Sequence, residues 1–193
     1  FHKINLEIYL KVCYNIAVFK VKVKTKLGVF GLIGTEKGLG EVLLPGACHD
    51  MGAKFSTDLT QAYWFESTAQ ALQSYGEKDF NLWQQKVLEI PLDLPGIPQL
   101  KSTDFTRAVW EGIAQIPLGK VWTYKELAEY IGNPKAVRAV GSACGKNPIP
   151  LIVPCHRVVA ANGWGGFSGG TLEVKKMLLR HELGAENPQL LEL

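Results

Sequence analysis

Cys155 and His156 are adjacent in the sequence and combine a potential nucleophile with a potential base. A cysteine thiolate is a strong nucleophile, and a neighbouring imidazole can take the proton of the thiol. Neighbours in a strand point to opposite faces, so the pair can act together only if Pro154 produces a turn or a water bridges the two side chains. The apolar run at 149–154 predicts that a cleft holds the pair. By itself this dipeptide is compatible with several cysteine chemistries, including hydrolysis.

A glycine-rich segment follows the Cys-His pair at residues 162–170, where five of nine residues are glycine. Glycine lets the backbone come very close to a ligand, and its N–H groups can then donate to a leaving oxygen as an oxyanion hole does. The same composition is also compatible with a flexible loop. The last helix is predicted at 172–183, with Leu172, Leu179 and Leu183 buried and Gly184 at its end.

Two short helices are predicted upstream of the pair. Thr123 and Glu126 have the spacing of a capping box, so a helix is expected to begin there and to run to about Ile131. Asn133 and Pro134 are predicted to start a second helix after a three-residue turn. The two helices and the turn between them are typical of a helix-turn-helix.

The second of these helices, which is predicted to end at Gly145, consists of small residues around one long cation, Arg138. Small side chains allow a helix to approach a groove of DNA closely, and the residues that read bases in the major groove are absent. The pattern therefore favours binding in the minor groove, with Arg138 entering the base stack and with little sequence specificity. A tightly packed core helix with Arg138 at its surface is the alternative interpretation.

The first hundred residues predict a small antiparallel sheet. Apolar and polar residues alternate over 4–12 and 19–24, and shorter apolar runs lie at 28–33 and 41–44. Alternation with period two is typical of half-buried strands.

A helix and a linker complete this first part. Residues 66–76 have helical spacing, and 87–90 are predicted as one last strand. The Pro- and Gly-rich segment 91–98 predicts a linker without regular structure. We therefore expect two domains, residues 1–99 and residues 100–193.

Composition and charge limit the classes of protein that the chain can represent. The 193 residues carry a net charge of +3, and the excess of basic residues lies entirely in residues 101–193. This distribution is compatible with phosphate contacts or with an ordinary mixed surface. The sequence contains no apolar run of about 18 residues, so no membrane span is predicted. The expected location is intracellular, in the cytoplasm or the nucleus.

Four cysteines, at positions 13, 48, 144 and 155, have the spacing of neither a disulfide scaffold nor a C-x-x-C site. This spacing favours a reducing compartment. The loop segment Cys48, His49 and Asp50 resembles part of a metal or hydrolase site, but no second pair of ligands accompanies it. We expect no metal and no cofactor.

Several motifs in the same order resemble the O6-alkylguanine-DNA alkyltransferases, which are also called methylated-DNA–protein-cysteine methyltransferases. They are Arg-Ala-Val-Gly at 138–141, Asn-Pro at 147–148, Pro-Cys-His-Arg-Val at 154–158 and Gly-Phe-Ser-Gly-Gly at 166–170. The resemblance covers about residues 100–184 and is looser before them. It implies an α+β protein with an N-terminal ribonuclease-H-like antiparallel sheet and helix, followed by a mostly helical C-terminal domain with a helix-turn-helix.

The resemblance also implies roles in single-turnover transfer of an alkyl group from guanine to Cys155. His156 would pass the thiol proton through a water, and Glu182 would polarise His156. Asn147 would hold the turn before the cysteine, and Tyr124 would donate toward N3 of guanine and assist rotation of the nucleotide.

Further residues are expected to bind the DNA and the flipped base. The residues expected at the DNA are Tyr124, Lys135, Ala136, Arg138, Ala139 and Gly141. Those expected around the substrate are Val158, Trp164, Gly166, Phe167 and Ser168, where the Ser168 amide would bond O6. Many members of the family have Tyr where this chain has Phe167, so one hydroxyl contact is lost. The implied partners are double-stranded DNA, bound through its minor groove, and an O6-alkylguanine base, and the protein is expected to be a monomer.

The residues alone do not exclude two functions of other classes. A non-catalytic helix-turn-helix DNA-binding protein would need sequence-specific affinity, which the small residues of the second helix disfavour. A Cys-His hydrolase would turn over esters or amides. Alkyltransferase-like proteins, which bind the lesion without repair, carry Trp at the position of Cys155, so Cys155 excludes this subtype if its thiol is reactive.

Overall fold

The alternating residues of the first part form a four-stranded antiparallel sheet, as predicted. In the computed structural model, which describes residues 6–13, 16–48, 63–93 and 103–184, the strands follow one another in the order of the sequence. They are β1 (Leu6–Cys13), β2 (Ile16–Thr25), β3 (Gly28–Thr35) and β4 (Gly38–Leu43). Phe19, Val21 and Val23 of β2 are buried, whereas the lysines between them are more exposed, which is the expected result of a side-chain period of two.

Two helices follow this sheet. The predicted helix is α1 (Trp64–Gly76), whose Trp64 indole donates to the Thr35 carbonyl at 2.6 Å. The predicted strand at 87–90 is wrong, because those residues belong to the end of α2 (Phe80–Leu88) and the turn that follows it. The Asp79 carboxylate caps this helix by accepting from the Leu82 amide at 3.1 Å.

The start of the predicted linker is paired with the sheet. Leu92 forms a parallel bridge with Leu39, and the Asp93 amide donates to the Leu39 carbonyl at 2.8 Å. The prediction of no regular structure over 91–98 is therefore wrong at its beginning, and residues 94–98 lie outside the described residues. Contacts divide the chain into two compact units, Phe1–Lys101 and Ser102–Leu193.

The second unit is mostly helical. The helix α3 (Asp104–Ala114) begins at Thr103, whose hydroxyl accepts from the Thr106 amide. The indole of Trp110 donates to the Ala143 carbonyl at 2.9 Å and so fixes α3 against the helix that carries Ala143.

The two predicted helices are α4 (Tyr124–Tyr130) and α5 (Val137–Cys144). The capping box of α4 is present, with Thr123 and Glu126 bonded in both directions. The predicted start of α5 at Asn133 and Pro134 is wrong, because the Ala136 amide donates to the Asn133 carbonyl and closes a separate turn. The connection therefore spans residues 131–136 instead of three residues.

A short parallel ribbon, which the sequence did not predict, connects distant parts of this unit. It pairs β5 (Trp122–Thr123) with β6 (Val158–Val159), and a single 3-10 turn at Cys155–Arg157 precedes β6. Since Tyr124 directly follows β5, the ribbon brings it toward the residues around position 155.

The last helix, α6 (Leu172–Leu183), has the predicted bounds and ends at Gly184 with φ of 85°. The prediction that Leu172 is buried is wrong, because this residue is 40% exposed. Lys175 and Leu178, which were not predicted to be buried, are buried instead. Within the ranges that the structure describes, no helix is long and apolar enough to cross a membrane.

Candidate active site

Cys155 lies in the 3-10 turn, where its residue is only 7% exposed. Its amide donates to the Val153 carbonyl at 2.8 Å, so Pro154 sits in a tight turn, which is one of the two conditions under which the Cys-His pair could act together. The side-chain amide of Asn147 closes the preceding loop, because it donates to the Val153 carbonyl at 2.6 Å and accepts from the Ile149 amide at 3.1 Å. These bonds fix the backbone immediately before the cysteine.

His156 and Glu182 are in direct contact. The Nε2 atom of His156 lies 2.9 Å from Oε1 of Glu182, and both side chains are fully buried. Among the described residues, none provides a hydrogen-bond partner for the buried Nδ1 of His156. Because a carboxylate can only accept, Nε2 carries the proton in this contact, and Nδ1 of the neutral ring has a lone pair.

Arg157 binds the same carboxylate. Its Nε donates to Oε2 of Glu182 at 2.8 Å and one terminal nitrogen donates to Oε1 at 3.0 Å. The other terminal nitrogen donates to the Ile116 carbonyl at 2.8 Å. The guanidinium thus joins the 3-10 turn, α6 and the segment after α3.

The charge states of these groups follow from burial and from their partners. Burial raises the pKa of the Cys155 thiol, although the hydrogen bond from Asn147 and the charge of Lys175 act in the opposite direction. Burial lowers the pKa of His156 despite its contact with Glu182. Burial alone would raise the pKa of Glu182, but His156 and Arg157 hold it well below its usual range. At neutral pH the site therefore contains a protonated thiol next to a neutral imidazole, so removal of the thiol proton requires a base.

Lys175 organises the glycine-rich segment from inside the protein. Its ammonium donates to the carbonyls of Val158 at 2.7 Å, Trp164 at 2.5 Å and Gly166 at 3.2 Å. The lysine is fully buried, and this burial lowers its pKa to about 8, an effect that the two nearby thiols of Cys155 and Cys144 partly oppose. Two of these carbonyls belong to the glycine-rich segment, so the side chain of Lys175 anchors that segment at Trp164 and Gly166.

A cavity of about 140 Å³ opens at Cys155. Its lining combines side chains with exposed backbone of glycine residues. The lining residues are Tyr124, Gly141, Cys144, Gly145, Cys155, Gly166, Phe167 and Ser168. The Ser168 hydroxyl donates to the Gly145 carbonyl at 2.9 Å and joins the glycine-rich segment to the end of α5.

Gly165 shows why this segment needs glycine. It has φ of 69°, and a Cβ atom there would lie 3.0 Å from the Tyr124 ring and 3.1 Å from the Ala160 amide. The Tyr124 hydroxyl is 3.4 Å from the Gly166 carbonyl. The tyrosine and the segment are thus packed so closely that a side chain at 165 would displace one of them.

The cavity contains only part of the residue set that the sequence predicts around the substrate. Phe167, Ser168 and Gly166 line it, together with Gly141, which was predicted at the DNA. Val158 is instead buried in β6, and Trp164 packs against the cluster of Val159 and Leu179.

The remaining residues predicted at the DNA lie around the start of α5. Lys135, Arg138 and Ala139 are exposed, and Ala136 is half-buried. Lys135 and Ala136 also line a shallow depression with residues 132–134. The structure thus brings an exposed cationic helix end and the cysteine cavity into one unit, because both involve α5.

Three residues near the site were not singled out by sequence reasoning: Arg157, Lys175 and Cys144. Lys175, Leu179 and Glu182 have the i, i+4, i+7 spacing of one helix face, which is the signal that could have identified a buried Lys on α6. Burial raises the pKa of Cys144 to about 12, with a further contribution from Cys155.

The described residues contain no group of three or more His, Cys, Asp or Glu side chains that could hold a metal. The Cys48 thiol donates to the Val29 carbonyl at 3.3 Å, and residues 49 and 50 lie outside the described ranges. Cys48 therefore has a structural partner in the sheet.

Comparisons with known proteins agree with the motifs. Residues 104–184 match the family model for the DNA-binding domain of 6-O-methylguanine DNA methyltransferase. The methylated-DNA–protein-cysteine methyltransferase of Methanosarcina mazei is 37% identical over 153 residues, which cover 78% of this chain and 88% of that protein. A probable methylated-DNA–protein-cysteine methyltransferase of Acanthamoeba polyphaga mimivirus is 57% identical over 84 residues, 44% of this chain. The matched segment spans about half the length of that relative, at 56%.

Solved structures are similar over most of the chain. The Mycobacterium tuberculosis OGT in complex with DNA has a TM-score of 0.62 and 30% identity, over 84% of this chain and 91% of that one. The O6-methylguanine-DNA methyltransferase of Pyrococcus kodakaraensis has a TM-score of 0.52 and 26% identity, over 92% of this chain and 99% of that one. The α+β architecture with a small antiparallel sheet is therefore shared with these proteins.

Proposed function

The chain belongs to the methylated-DNA–protein-cysteine methyltransferase family, and we propose that it repairs DNA by moving an alkyl group from O6 of guanine to Cys155. The observation that carries this proposal is the position of Cys155 in the lining of a cavity, next to a neutral imidazole that Glu182 orients. A sulfur–carbon bond forms as the carbon–O6 bond breaks, and guanine leaves with the electron pair of that bond. A thioether has no leaving route, so each molecule acts once.

The proton of Cys155 passes to Nδ1 of His156 through a water. Support comes from the fixed orientation of the ring, since Nε2 is engaged by Glu182 and Nδ1 retains its lone pair. Asn147 keeps the cysteine in place through the loop that precedes it. These residues therefore supply the base and the alignment that a buried, protonated thiol requires.

The substrate base occupies the cavity. Cys155 is only 7% exposed as a residue, so a damaged base cannot reach its thiol while the base remains in the duplex and must rotate out of the stack. Tyr124 donates toward N3 of guanine, and the Ser168 amide donates to O6, which stabilises the departing anion. Phe167 and Gly166 line the alkyl group, and the backbone of Val158 reads the guanine amino group, with Trp164 supporting the segment from behind.

Double-stranded DNA binds at α5 through its minor groove, with little sequence specificity and with the protein as a monomer. The helix pair α4–α5 acts as a helix-turn-helix, and Arg138 fills the gap that the flipped base leaves. Support comes from the exposure of Lys135, Arg138 and Ala139, and from the small residues at Ala136 and Gly141, which permit a close approach. The similarity to the M. tuberculosis OGT in complex with DNA is a further support.

We assign these tasks to residues 100–193, and we propose that residues 1–99 form a supporting sheet domain with a ribonuclease-H-like fold. The proposed location is the cytoplasm or the nucleus, where thiols stay reduced. Neither a metal nor a cofactor takes part in the proposed step.

The proposal is tested with duplex DNA that carries O6-methylguanine. We expect one methyl group per protein molecule, located on Cys155 by peptide mass spectrometry, and no transfer by Cys155→Ser. Cys144→Ser is the matched control, because it changes the other thiol of the same cavity. Repeated turnover, or transfer by Cys155→Ser, contradicts the proposal, and tight binding without transfer would favour the non-catalytic DNA-binding alternative.

A further inference from the structure

Glu182 lies between two possible counter-ions, His156 and Arg157. The first contact is a single bond of 2.9 Å from His156, whereas Arg157 makes two bonds of 2.8 and 3.0 Å to both carboxylate oxygens. A planar guanidinium that meets a carboxylate with two parallel N–H groups makes the stronger and more directional pair. The geometry therefore favours Arg157 as the partner that balances the charge of Glu182.

The charge of the buried cluster leads to the same conclusion. His156 faces Glu182 and Lys175 of α6, and Cys155 and Arg157 of its own turn. If Arg157 and Lys175 are charged and Glu182 is ionised, the cluster already carries one net positive charge. A proton on His156 would add a second positive charge at a site with no exposure to solvent, which is costly.

We propose that Arg157 is a positioning residue: as the counter-ion of Glu182 it lets His156 stay neutral, with Nδ1 available for the Cys155 proton. Without Arg157, protonation of His156 would restore a charge-assisted hydrogen bond to Glu182, since the ammonium of Lys175 donates to main-chain carbonyls. The imidazolium has no lone pair and could not act as a base. The inference rests on the proposed alkyl transfer, since it explains how the base of that reaction is kept in its active form.

The anchor of Arg157 also supports this role. Its remaining terminal nitrogen donates to the Ile116 carbonyl at 2.8 Å, so the guanidinium plane is fixed from a third side. The Arg157 side chain is only 8% exposed, so solvent screens its interaction with Glu182 weakly. A mobile or exposed cation would provide neither the orientation nor the field that holds the carboxylate ionised.

The first test uses the unmodified protein. Nitrogen NMR of ¹⁵N-histidine-labelled protein reports the protonation and tautomer of His156, assigned by the signal that His156→Asn removes. We expect a neutral ring with the proton on Nε2 at neutral pH, and a ring that takes up a proton only at a pH below the usual pKa of histidine. A charged ring at about pH 7 would overturn the inference even if the alkyl transfer itself is observed.

The second test measures the rate of reaction of Arg157→Gln with free O6-benzylguanine as a function of pH. In this variant we expect the pKa of His156 to be higher than in the unmodified protein. The loss relative to the unmodified protein should then grow by roughly tenfold for each pH unit below that higher pKa, and shrink at alkaline pH. A loss of equal size at every pH indicates a merely structural role and overturns the proposal. Arg180→Gln, an exposed change of the same charge on α6, is the control and should react normally.

A third variant covers the case in which Arg157→Gln does not fold. Arg157→Lys keeps the charge and loses the two-pronged contact, so we expect a slower reaction with the pH profile of the unmodified protein. A profile shifted toward alkaline pH in this variant contradicts charge balance by residue 157. Absence of any transfer by the unmodified protein would instead refute the proposed function, while the NMR measurement would still report the charge of His156.

Discussion

Two kinds of cation lie in the unit that contains the cysteine cavity, and they differ in burial. Arg157 and Lys175 are buried, and each makes three hydrogen bonds within the protein. Lys135 and Arg138, near and on α5, are exposed. A buried cation whose donors are used inside the fold cannot serve an external phosphate, whereas an exposed one loses little when it exchanges water for DNA. Burial therefore separates the cations that arrange the site from those proposed to bind the partner.

Removal of a buried cation is expected to have the largest effect. In Lys175→Met three carbonyls lose their shared donor, so we expect the free energy of unfolding to fall by about 2–3 kcal/mol, because buried acceptors without partners are costly. Urea unfolding at neutral pH measures this loss, and alkyl transfer should fall as well because the glycine-rich segment is released.

Lys176→Met is the matched control for this variant. The side chain of Lys176 pairs with the exposed Glu173, so the change should alter the free energy of unfolding by less than about 0.5 kcal/mol. The Lys176 side chain is 24% exposed, so equal losses for the two lysines would remove the distinction between a fully buried cation and a partly exposed one.

Removal of an exposed cation should affect the reaction with DNA without an effect on folding. For Arg138→Ala we expect repair of duplex DNA to slow by roughly ten- to a hundredfold, because an inserted side chain offsets an unstacking cost of a few kcal/mol. Reaction with free O6-benzylguanine and the urea midpoint should not change. Arg180→Ala is the control for charge alone, and an equal loss with the free base would contradict a role at the duplex.

The smallest effect is expected from the neutral neighbour of these cations, Cys144. Its pKa in the folded protein is about 12, above the usual value of about 8.5 in an unfolded chain. A group with a raised folded pKa stabilises the fold below about pH 8.5, and this contribution is lost as the pH rises toward 12. We therefore expect the stability of the unmodified protein to fall more steeply above pH 8.5 than that of Cys144→Ala, by on the order of 1–2 kcal/mol at about pH 10. Parallel pH profiles of urea unfolding would contradict the assignment.

Local patterns predicted much of the second unit. The capping box at Thr123 and the whole of α6 follow from signals within a few residues, and the structure confirms both. The start of α5 did not follow, because Asn133 and Pro134 form a turn that resembles a helix start in sequence. Two-residue strands such as β5 and β6 depend on a partner 36 positions away, and no local pattern reports such a pairing.

Tertiary contacts explain the other differences. Residues 87–90 have strand-like side chains, but they belong to the end of α2 and the turn after it. The ring of Trp83 in α2 packs on Tyr75 with centroids 5.0 Å apart, and this tertiary contact outweighs the local preference for a strand. Hydrophobic periodicity treats a lysine as exposed, and so it did not identify Lys175. Glu182 was identified only through family resemblance, because nothing in the spacing of residues 156 and 182 indicates a contact.

The three bonds of Lys175 have a consequence for how this protein can evolve. They end on main-chain oxygens, which every amino acid supplies, so the clamp places few demands on the side chains of Trp164 and Gly166. Residues on the cavity side, such as Phe167, can therefore be exchanged without loss of the anchor. Selection or engineering can in this way reshape the cavity for larger ligands while Cys155, His156 and Glu182, the proposed acceptor and its proton relay, stay unchanged.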